Sequence, residues 1–204
     1  PTFDWRKQKI AIKQTVNQDG TFIAAISMLK QPGMGKAIYI SLAVSSAVDV
    51  LIVFLPLFGT ENNFSPFAVG VILAIRAGTS MFSRIFLGAI AQKLGSHFLM
   101  VSSIVASTVF CGAMFFARTP LTLAIAVGIA GLALGVGQPL TMSLVSRLAP
   151  PQDRALAISA RLTANRVGQF VVPASAGAVA GAAGAGSVFL GLAALLATSI
   201  FTAL

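Results

Sequence analysis

The chain contains 204 residues, of which 56% are hydrophobic and only 9% are charged. So large an apolar fraction excludes an ordinary soluble domain and indicates a membrane protein with several spans. The net charge of +9, from 14 basic and 5 acidic residues, lies mainly between apolar segments, so it indicates orientation across a membrane and we expect no nucleic-acid partner.

Residues 1–36 form a basic and mostly polar arm. Its six cations are Arg6, Lys7, Lys9, Lys13, Lys30 and Lys36. Such a segment is typical of a solvated linker that lies beside anionic lipid headgroups. We interpret the arm as a connecting loop that precedes the first membrane span.

Six apolar segments follow, and at about 1.5 Å per residue each reaches the length needed to cross a hydrocarbon core of roughly 30 Å, the last only just. They cover residues 37–58, 66–92, 98–117, 121–148, 152–180 and 187–204. The links between them are short, so successive helices must run antiparallel. The sequence therefore predicts an all-α bundle of six transmembrane helices and a lipid bilayer as its surroundings.

The basic residues of the arm and of the span ends collect on one side of the predicted bundle. That side holds the arm with Arg84, Lys93, Arg147 and Arg154, whereas Arg118 and Glu61 lie on the other. Because cytoplasmic loops carry an excess of Lys and Arg, we expect the arm to be cytoplasmic.

Polar side chains inside the spans divide the helices into two groups. The third and sixth segments contain no ionisable residue. The other four contain Asp49 in the first, Arg76 and Arg84 in the second, Gln138 in the fourth, and Arg161, Asn165, Arg166 and Gln169 in the fifth. A charge in hydrocarbon costs about 2.5–3.5 kcal/mol even on lenient scales, so we expect these groups to face a cavity or one another.

Depth along the helices brings three of these charges to a similar level. Asp49 lies roughly 18 Å and Arg166 roughly 21 Å from the cytoplasmic start of their helices, and Arg76 lies roughly 15 Å from the opposite start. All three are therefore expected near the middle of the membrane.

The sequence shows no metal-ligand cluster and no nucleophile–base pair, so we expect no metal site, no cofactor and no enzymatic activity.

The end of the second segment carries a recognisable pattern. Arg84 stands four residues before Gly88, which is followed by Gln92, Lys93 and Gly95. This pattern resembles the loop motif of the major facilitator superfamily, an Arg four residues before G-x-x-x-D-R/K-x-G, with Gln92 in place of the aspartate. The resemblance implies close helix approach at Gly88 and a gating role for the motif, and Gln92 removes the ion pair on which that gating would depend.

The resemblance also implies an architecture. Each six-helix half of such a transporter has its third and sixth helices at the periphery, which matches the two segments without charges. Because a basic arm precedes the spans, we interpret the chain as the carboxy-terminal half of a twelve-helix transporter. Its partner would be the amino-terminal half of the same protein, and its location a bacterial cytoplasmic membrane.

The function expected from these features is secondary active transport by alternating access, with a proton as coupling ion and a small polar or anionic solute or drug as substrate. Arg76 and Arg166 are predicted to bind the substrate, with Gln138, Arg161, Asn165 and Gln169 beside them. Asp49 is predicted either to carry the proton or to form a permanent ion pair that locks the helices. The alternative is a receptor or scaffold that has lost transport and senses a ligand in its polar cavity.

Overall fold

The computed structural model of the chain describes residues 31–203, and within this range it forms six α-helices and no strand. They are α1 (Met34–Glu61), α2 (Pro66–Leu94), α3 (Ser96–Met114), α4 (Pro120–Leu148), α5 (Arg154–Ala183) and α6 (Ala185–Ala203). The predicted all-α bundle is thus confirmed. Residues 1–30, which make up most of the predicted arm, lie outside the described residues, as does residue 204.

Helix α1 is longer than expected at both ends. It begins at Met34, inside the predicted arm, directly after Gly33, whose φ of 81° is not helical. It then continues through Gly59 to Glu61, so the first turn is only residues 62–65. Gly59 was expected to open this turn, but a single glycine inside a helix costs only about 1 kcal/mol relative to alanine and does not end it.

Helix α5 is displaced along the chain relative to the prediction. It begins at Arg154 because residues 151–153 form a turn, and it ends only at Gly184, which has a φ of 80°. Asp153 occupies the N-cap position, but its side chain makes no capping hydrogen bond. The positive φ of Gly184, rather than the glycines before it, ends the helix, because only glycine adopts that conformation readily.

Capping residues fix the start of α2 and α4. The Ser65 hydroxyl accepts a hydrogen bond from the Ala68 amide at 3.2 Å, and Thr119 forms a capping box with Thr122. In both helices a proline occupies the first turn, where its missing N–H costs nothing. These signals are local in sequence, and the predicted starts of both helices agree with the structure to within one residue.

The six helices form two triplets, α1 to α3 and α4 to α6, and each helix of one triplet makes contacts that match those of its counterpart in the other. Helices α1 and α4 lie at the centre and are buried along much of their length. Helix α4 packs against α2 and α3 of the first triplet, α1 packs against α5 and α6 of the second, and α3 packs against α6. The third helix of each triplet therefore lies against the central helix of the other, away from the polar residues.

Five of the six helices are long and apolar enough to cross a membrane, among the residues described. The exception is α5, which at 30 residues is long enough but carries Arg161, Asn165, Arg166 and Gln169 along its length. Its polar residues, and not its length, set this helix apart from the other five, because those residues lower its mean hydropathy. Such a helix enters a membrane only when its polar side faces protein or water.

The end of the bundle where α1 finishes is closed by a carboxylate and a group of aromatic rings. Glu61 accepts two hydrogen bonds from the Ala185 amide, at 2.9 and 3.1 Å, at the start of α6. The ring of Phe58 lies 5.2 Å from that of Phe189 and 6.5 Å from that of Phe64. A carboxylate is favoured at a helix N-terminus, so Glu61 ties α1 to α6.

Candidate functional site

Helix α4 contains a proline in its interior, next to a predicted site residue. Pro139 has no N–H, so the helix lacks one backbone hydrogen bond there. The carbonyl oxygen of Gln138, the residue before the proline, accepts hydrogen bonds from the Thr141 hydroxyl at 2.8 Å and from Nη2 of Arg161 at 3.3 Å. A side chain from α5 therefore bonds to α4 beside its interior proline.

Arg161 is the most deeply buried cation of the site, with only 6% of its surface exposed. Its Nη2 also donates to the Thr141 hydroxyl at 3.2 Å. Its Nε atom is buried and has no hydrogen-bond partner within residues 31–203. Both of its hydrogen-bond acceptors are neutral, so no acceptor in this part of the chain balances its charge.

Arg84 reaches the same glutamine from α2. Its Nη2 donates to Oε1 of Gln138, so one residue of α4 joins an arginine of α2 to an arginine of α5. We call Arg84, Gln138, Thr141 and Arg161 the arginine cluster. Arg84 was predicted both as part of the loop motif and as one of the polar groups inside the spans, and the structure places its side chain with the cavity residues.

A cavity of about 400 Å³ lies beside the arginine cluster. Its wall is made of residues from α1, α2, α4 and α5, namely Ser45, Arg84, Leu87, Gln138, Pro139, Met142, Arg161 and Asn165. The four helices that the sequence groups by their polar content therefore do meet around one space. Helices α3 and α6 contribute nothing to this wall.

Asn165 connects α5 to α1 at the edge of this cavity. Its side-chain amide donates to the Ser45 hydroxyl at 3.1 Å and accepts from the Ser41 hydroxyl at 3.2 Å. All three residues are buried. Since a buried amide without partners would be costly, these two bonds fix the rotation of α5 against α1.

A second group of polar residues lies farther from the end where α1 begins. Arg161 is roughly 10 Å from the start of α5, whereas Asp49 is roughly 22 Å from the start of α1. The carboxylate of Asp49 interacts with Gln169 and with the charges of Arg166 and Arg76, and Arg166 donates to Gln169 at 2.8 Å. We call Asp49, Arg76, Arg166 and Gln169 the aspartate cluster.

The carboxylate of Asp49 is only partly satisfied. Its Oδ2 atom is buried and accepts no hydrogen bond from any residue in the range 31–203. Arg166, by contrast, is exposed and donates to Gln169, its neighbour one turn along α5. The predicted partners are therefore near Asp49, and one carboxylate oxygen is still without a donor.

The two clusters are linked through α2. A second cavity, of about 460 Å³, is lined by both Arg76 and Arg84. Arg76 belongs to the aspartate cluster and Arg84 to the arginine cluster, so the cations of α2 extend from one cluster to the other. Helix α2 borders this path and is mostly exposed, since Ile72 and Ser83 are its only buried residues in the described chain.

Close helix approach occurs at glycines other than the predicted one. A Cβ atom added at Gly135 would lie 2.7 Å from the Ser80 carbonyl oxygen, and one at Gly131 would lie 2.8 Å from the Arg76 carbonyl oxygen. At Gly88 no atom of the described chain lies within 4 Å of such a Cβ. No helix in this part of the chain therefore approaches Gly88 closely, and the predicted close packing at this glycine stays a prediction.

The loop motif itself has the expected backbone. Gly95 has a φ of 83° and its amide closes α2 by donating to the Ala91 carbonyl at 3.1 Å. Gln92 and Lys93 are exposed in the last turn of the helix. Their predicted gating role stays a prediction.

Two residues of the site are absent from the sequence prediction. Thr141 binds Arg161, and Ser41 binds Asn165. Both lie one turn from polar residues on the same helix face, at spacings of three and four residues from Gln138 and Ser45. That spacing was the available signal, but a hydroxyl in a membrane helix usually bonds its own backbone, as Ser103 and Thr108 do here.

Comparison with known proteins gives three findings. A family model described as Major Facilitator Superfamily matches residues 37–204. The "Multi-drug resistance efflux pump PmrA homolog" of Lactococcus lactis subsp. lactis (strain IL1403) is 28% identical over 122 residues, which are 60% of this chain and 30% of that protein. The inward open conformation of the xylose transporter XylE from E. coli superimposes with a TM-score of 0.70 at 14% identity.

The structural match covers 83% of this chain and 46% of the XylE chain. The chain therefore spans less than half of the length of each of these relatives, and its helices have the fold of one half of such a bundle. The sequence pattern around Arg84 agrees with this assignment, as do the two uncharged peripheral helices. Because the family model matches more than half of the chain, this multi-pass membrane protein belongs to the major facilitator superfamily.

Proposed function

We propose that the protein containing this chain is a secondary transporter of a small organic solute, driven by a proton gradient and working by alternating access. The six helices described here would form one wall of the substrate path. The other wall would come from an amino-terminal half of the same protein, in a bacterial cytoplasmic membrane.

The observation that carries this proposal is the pair of polar clusters between α1, α2, α4 and α5. Four arginines and one aspartate lie inside a bundle whose other helices are uncharged. Charges at this depth are costly unless they face a cavity or each other, so they mark a functional path. The names of the two relatives, an efflux pump and a sugar transporter, support membrane transport as the general activity.

The exposed faces of α2 and α5 support the alternating-access part of the proposal. Only Ile72 and Ser83 of α2, and only Ala157, Arg161, Asn165 and Gly168 of α5, are buried. Residues of both helices also line the cavities, so a second helix bundle docked on the exposed faces would enclose them. Rocking of the two bundles around the enclosed space would then expose it to each side in turn.

Asp49 is the residue we assign to proton coupling. It is the only acidic residue in the interior of the helices, and one of its oxygens has no hydrogen-bond donor among residues 31–203. Its position between α1 and the arginines of α2 and α5 allows protonation to change the balance of charge in the cavity.

The experiment is transport by the full-length protein in proteoliposomes with an imposed pH gradient, using a panel of labelled organic anions and cationic drugs. Accumulation of at least one compound that collapses with the gradient supports the proposal. Saturable binding without any movement across the membrane would contradict it and favour a receptor.

A further inference from the structure

The arginine cluster contains two cations and no anion. Arg161 is 94% buried, since only 6% of its surface is exposed, and its acceptors are a backbone carbonyl and a hydroxyl. Arg84 donates to the amide oxygen of the same Gln138. Neutral acceptors satisfy hydrogen bonds but leave the charges uncompensated, which is unfavourable in a region of low dielectric constant.

The wall of the cavity beside the cluster likewise contains cations without an anion. None of its lining residues is acidic among those described, and two of them are arginines. The nearest carboxylate in the spans, Asp49, interacts with Arg166 and Arg76 of the other cluster. The cavity is therefore positively charged on account of residues that have no anionic partner in this part of the chain.

The shape of the cavity indicates what kind of anion would fit. Its volume of about 400 Å³ is that of a site for a small organic molecule rather than a single ion. Leu87 of α2 and Pro139 and Met142 of α4 supply an apolar part of the wall, and the two arginines come from α2 and α5. A guanidinium offers a planar pair of donors that matches a carboxylate, and the apolar wall suits the carbon skeleton attached to it.

We propose that the arginine cluster is a binding subsite for the carboxylate of a small organic anion, separate from the aspartate cluster. The proposal rests on the transport function above and assigns the two clusters different tasks. Arg84 and Arg161 would hold the anionic group of the substrate, while Asp49 with Arg76 and Arg166 would respond to the proton.

A carboxylate could reach the cluster from two sources. One is a dissolved organic acid, and the other is an acidic side chain elsewhere in the full protein. Both would compensate the same charges, but only a dissolved acid makes the stability of the protein depend on added ligand, since a ligand that binds the folded state stabilises it by mass action.

The first experiment measures thermal unfolding of the full-length protein in lipid nanodiscs during titration with sodium benzoate at constant ionic strength. We expect a saturable rise in unfolding temperature and a much weaker response to inorganic phosphate. In Arg161→Gln the half-saturating benzoate concentration should rise about tenfold or more, because a charge-assisted hydrogen bond is lost.

The matched control is Arg147→Gln. Arg147 also lies on α4, is exposed in the last turn and does not line the cavity, so this variant removes one positive charge of the same kind. We expect its benzoate response to equal that of the unaltered protein. An equal loss in both variants would show a general effect of surface charge and would overturn the subsite.

The second experiment replaces the shared glutamine by its acidic isostere. Gln138→Glu replaces the side-chain amide that accepts from Arg84 by a carboxylate, on the residue whose main-chain carbonyl accepts from Arg161, with almost no change of volume. If the cluster lacks an anion, this variant should unfold at a higher temperature than the unaltered protein without benzoate and should no longer respond to benzoate. If an acidic side chain of the protein already pairs with the arginines, the variant should instead be less stable, which overturns the proposal.

These results are independent of the transport assay. A protein that accumulates solutes but is destabilised by Gln138→Glu keeps the proposed function and loses the anion subsite. A protein that binds benzoate through Arg161 but moves no solute keeps the subsite and loses the transport function. Absence of any saturable benzoate response in the unaltered protein counts against the subsite alone.

Discussion

The α2–α4 pair and the α5–α1 pair occupy equivalent places in the two triplets, yet different chemistry holds them together. Helix α4 presents Gly131 and Gly135 to α2, so that backbone approaches backbone. Helix α5 is joined to α1 by hydrogen bonds from Asn165, with Gly168 close to Leu42 and Ser46. The first contact depends mainly on the absence of side chains and the second on their bonding.

The two pairs also differ in the charges that they carry. The α5–α1 pair carries Asp49, the acidic residue inside the spans, together with Arg166. The α2–α4 pair carries Arg84 beside Gln138 and no acid. Equivalent positions in the two triplets can thus serve packing in one and proton chemistry in the other, and substitutions should separate these roles.

The largest expected effect is that of Gly135→Leu. A Cβ atom at this position would lie 2.7 Å from the Ser80 carbonyl oxygen and 2.8 Å from its Cα, both backbone atoms of α2. The helices must separate to admit it, at a cost above the roughly 1–3 kcal/mol of ordinary overpacking. We expect little folded protein after detergent extraction, measured by size-exclusion chromatography; a normal yield would show that the α2–α4 contact is not essential.

The second prediction tests the role of the acidic residue that only the α5–α1 pair carries. Asp49→Asn should leave the protein folded and able to exchange substrate but unable to accumulate it against a pH gradient in proteoliposomes. Asparagine keeps the volume of the side chain and removes only its charge, so stability should not fall if the fold does not depend on an ion pair of Asp49.

The alternative for Asp49 is a structural ion pair, and it has a different signature. In that case Asp49→Asn should unfold at a lower temperature, and the double variant with Arg166→Gln should recover stability because charge balance is restored. Full accumulation driven by the pH gradient in Asp49→Asn would dismiss the proton-carrier role.

The third prediction concerns the hydrogen bonds of the α5–α1 pair. Asn165→Ala removes two buried bonds and leaves Ser41 and Ser45 without their partner. We expect a loss of about 1–2 kcal/mol in the free energy of unfolding, measured by denaturant titration in detergent micelles.

The control for this variant is Thr163→Ala on the same helix. The Thr163 hydroxyl is exposed and bonds only the Ser159 carbonyl of its own helix, so the change should be within about 0.5 kcal/mol. Equal losses in the two variants would mean that the interhelical bonds of Asn165 contribute nothing specific.

The sequence predicts the helices and their grouping well because the signals are local or periodic. Apolar length locates all six helices, and the absence of charges singles out α3 and α6, which lie away from the polar cavity. The polar residues of α1, α2, α4 and α5 indicate that these four helices share a space, and Gly95 has the expected positive φ.

The contacts within that space depend on the rotation of each helix about its axis, which the sequence does not specify. Arg84 belongs to the loop motif by spacing, but its side chain reaches Gln138 on another helix. Thr141 and Ser103 are both hydroxyl residues in apolar helices, and only the first has an arginine beside it. Glycines are likewise equal in sequence, whereas Gly135 is in close contact and Gly88 is not.

The smallest expected effect is that of Gly88→Leu, the matched counterpart of Gly135→Leu. No atom of the described chain lies within 4 Å of a Cβ at this position, and the side chain would project from an exposed part of α2. The unfolding temperature in detergent should therefore stay within the scatter of the unaltered protein, since surface substitutions usually change stability by less than about 0.5 kcal/mol. If transport falls while stability does not, the obstruction must be against the amino-terminal half, which is where the proposed architecture places the partner of this face. A loss of stability as large as that of Gly135→Leu would instead show that both glycines are closely packed, which contradicts the contrast drawn here between them.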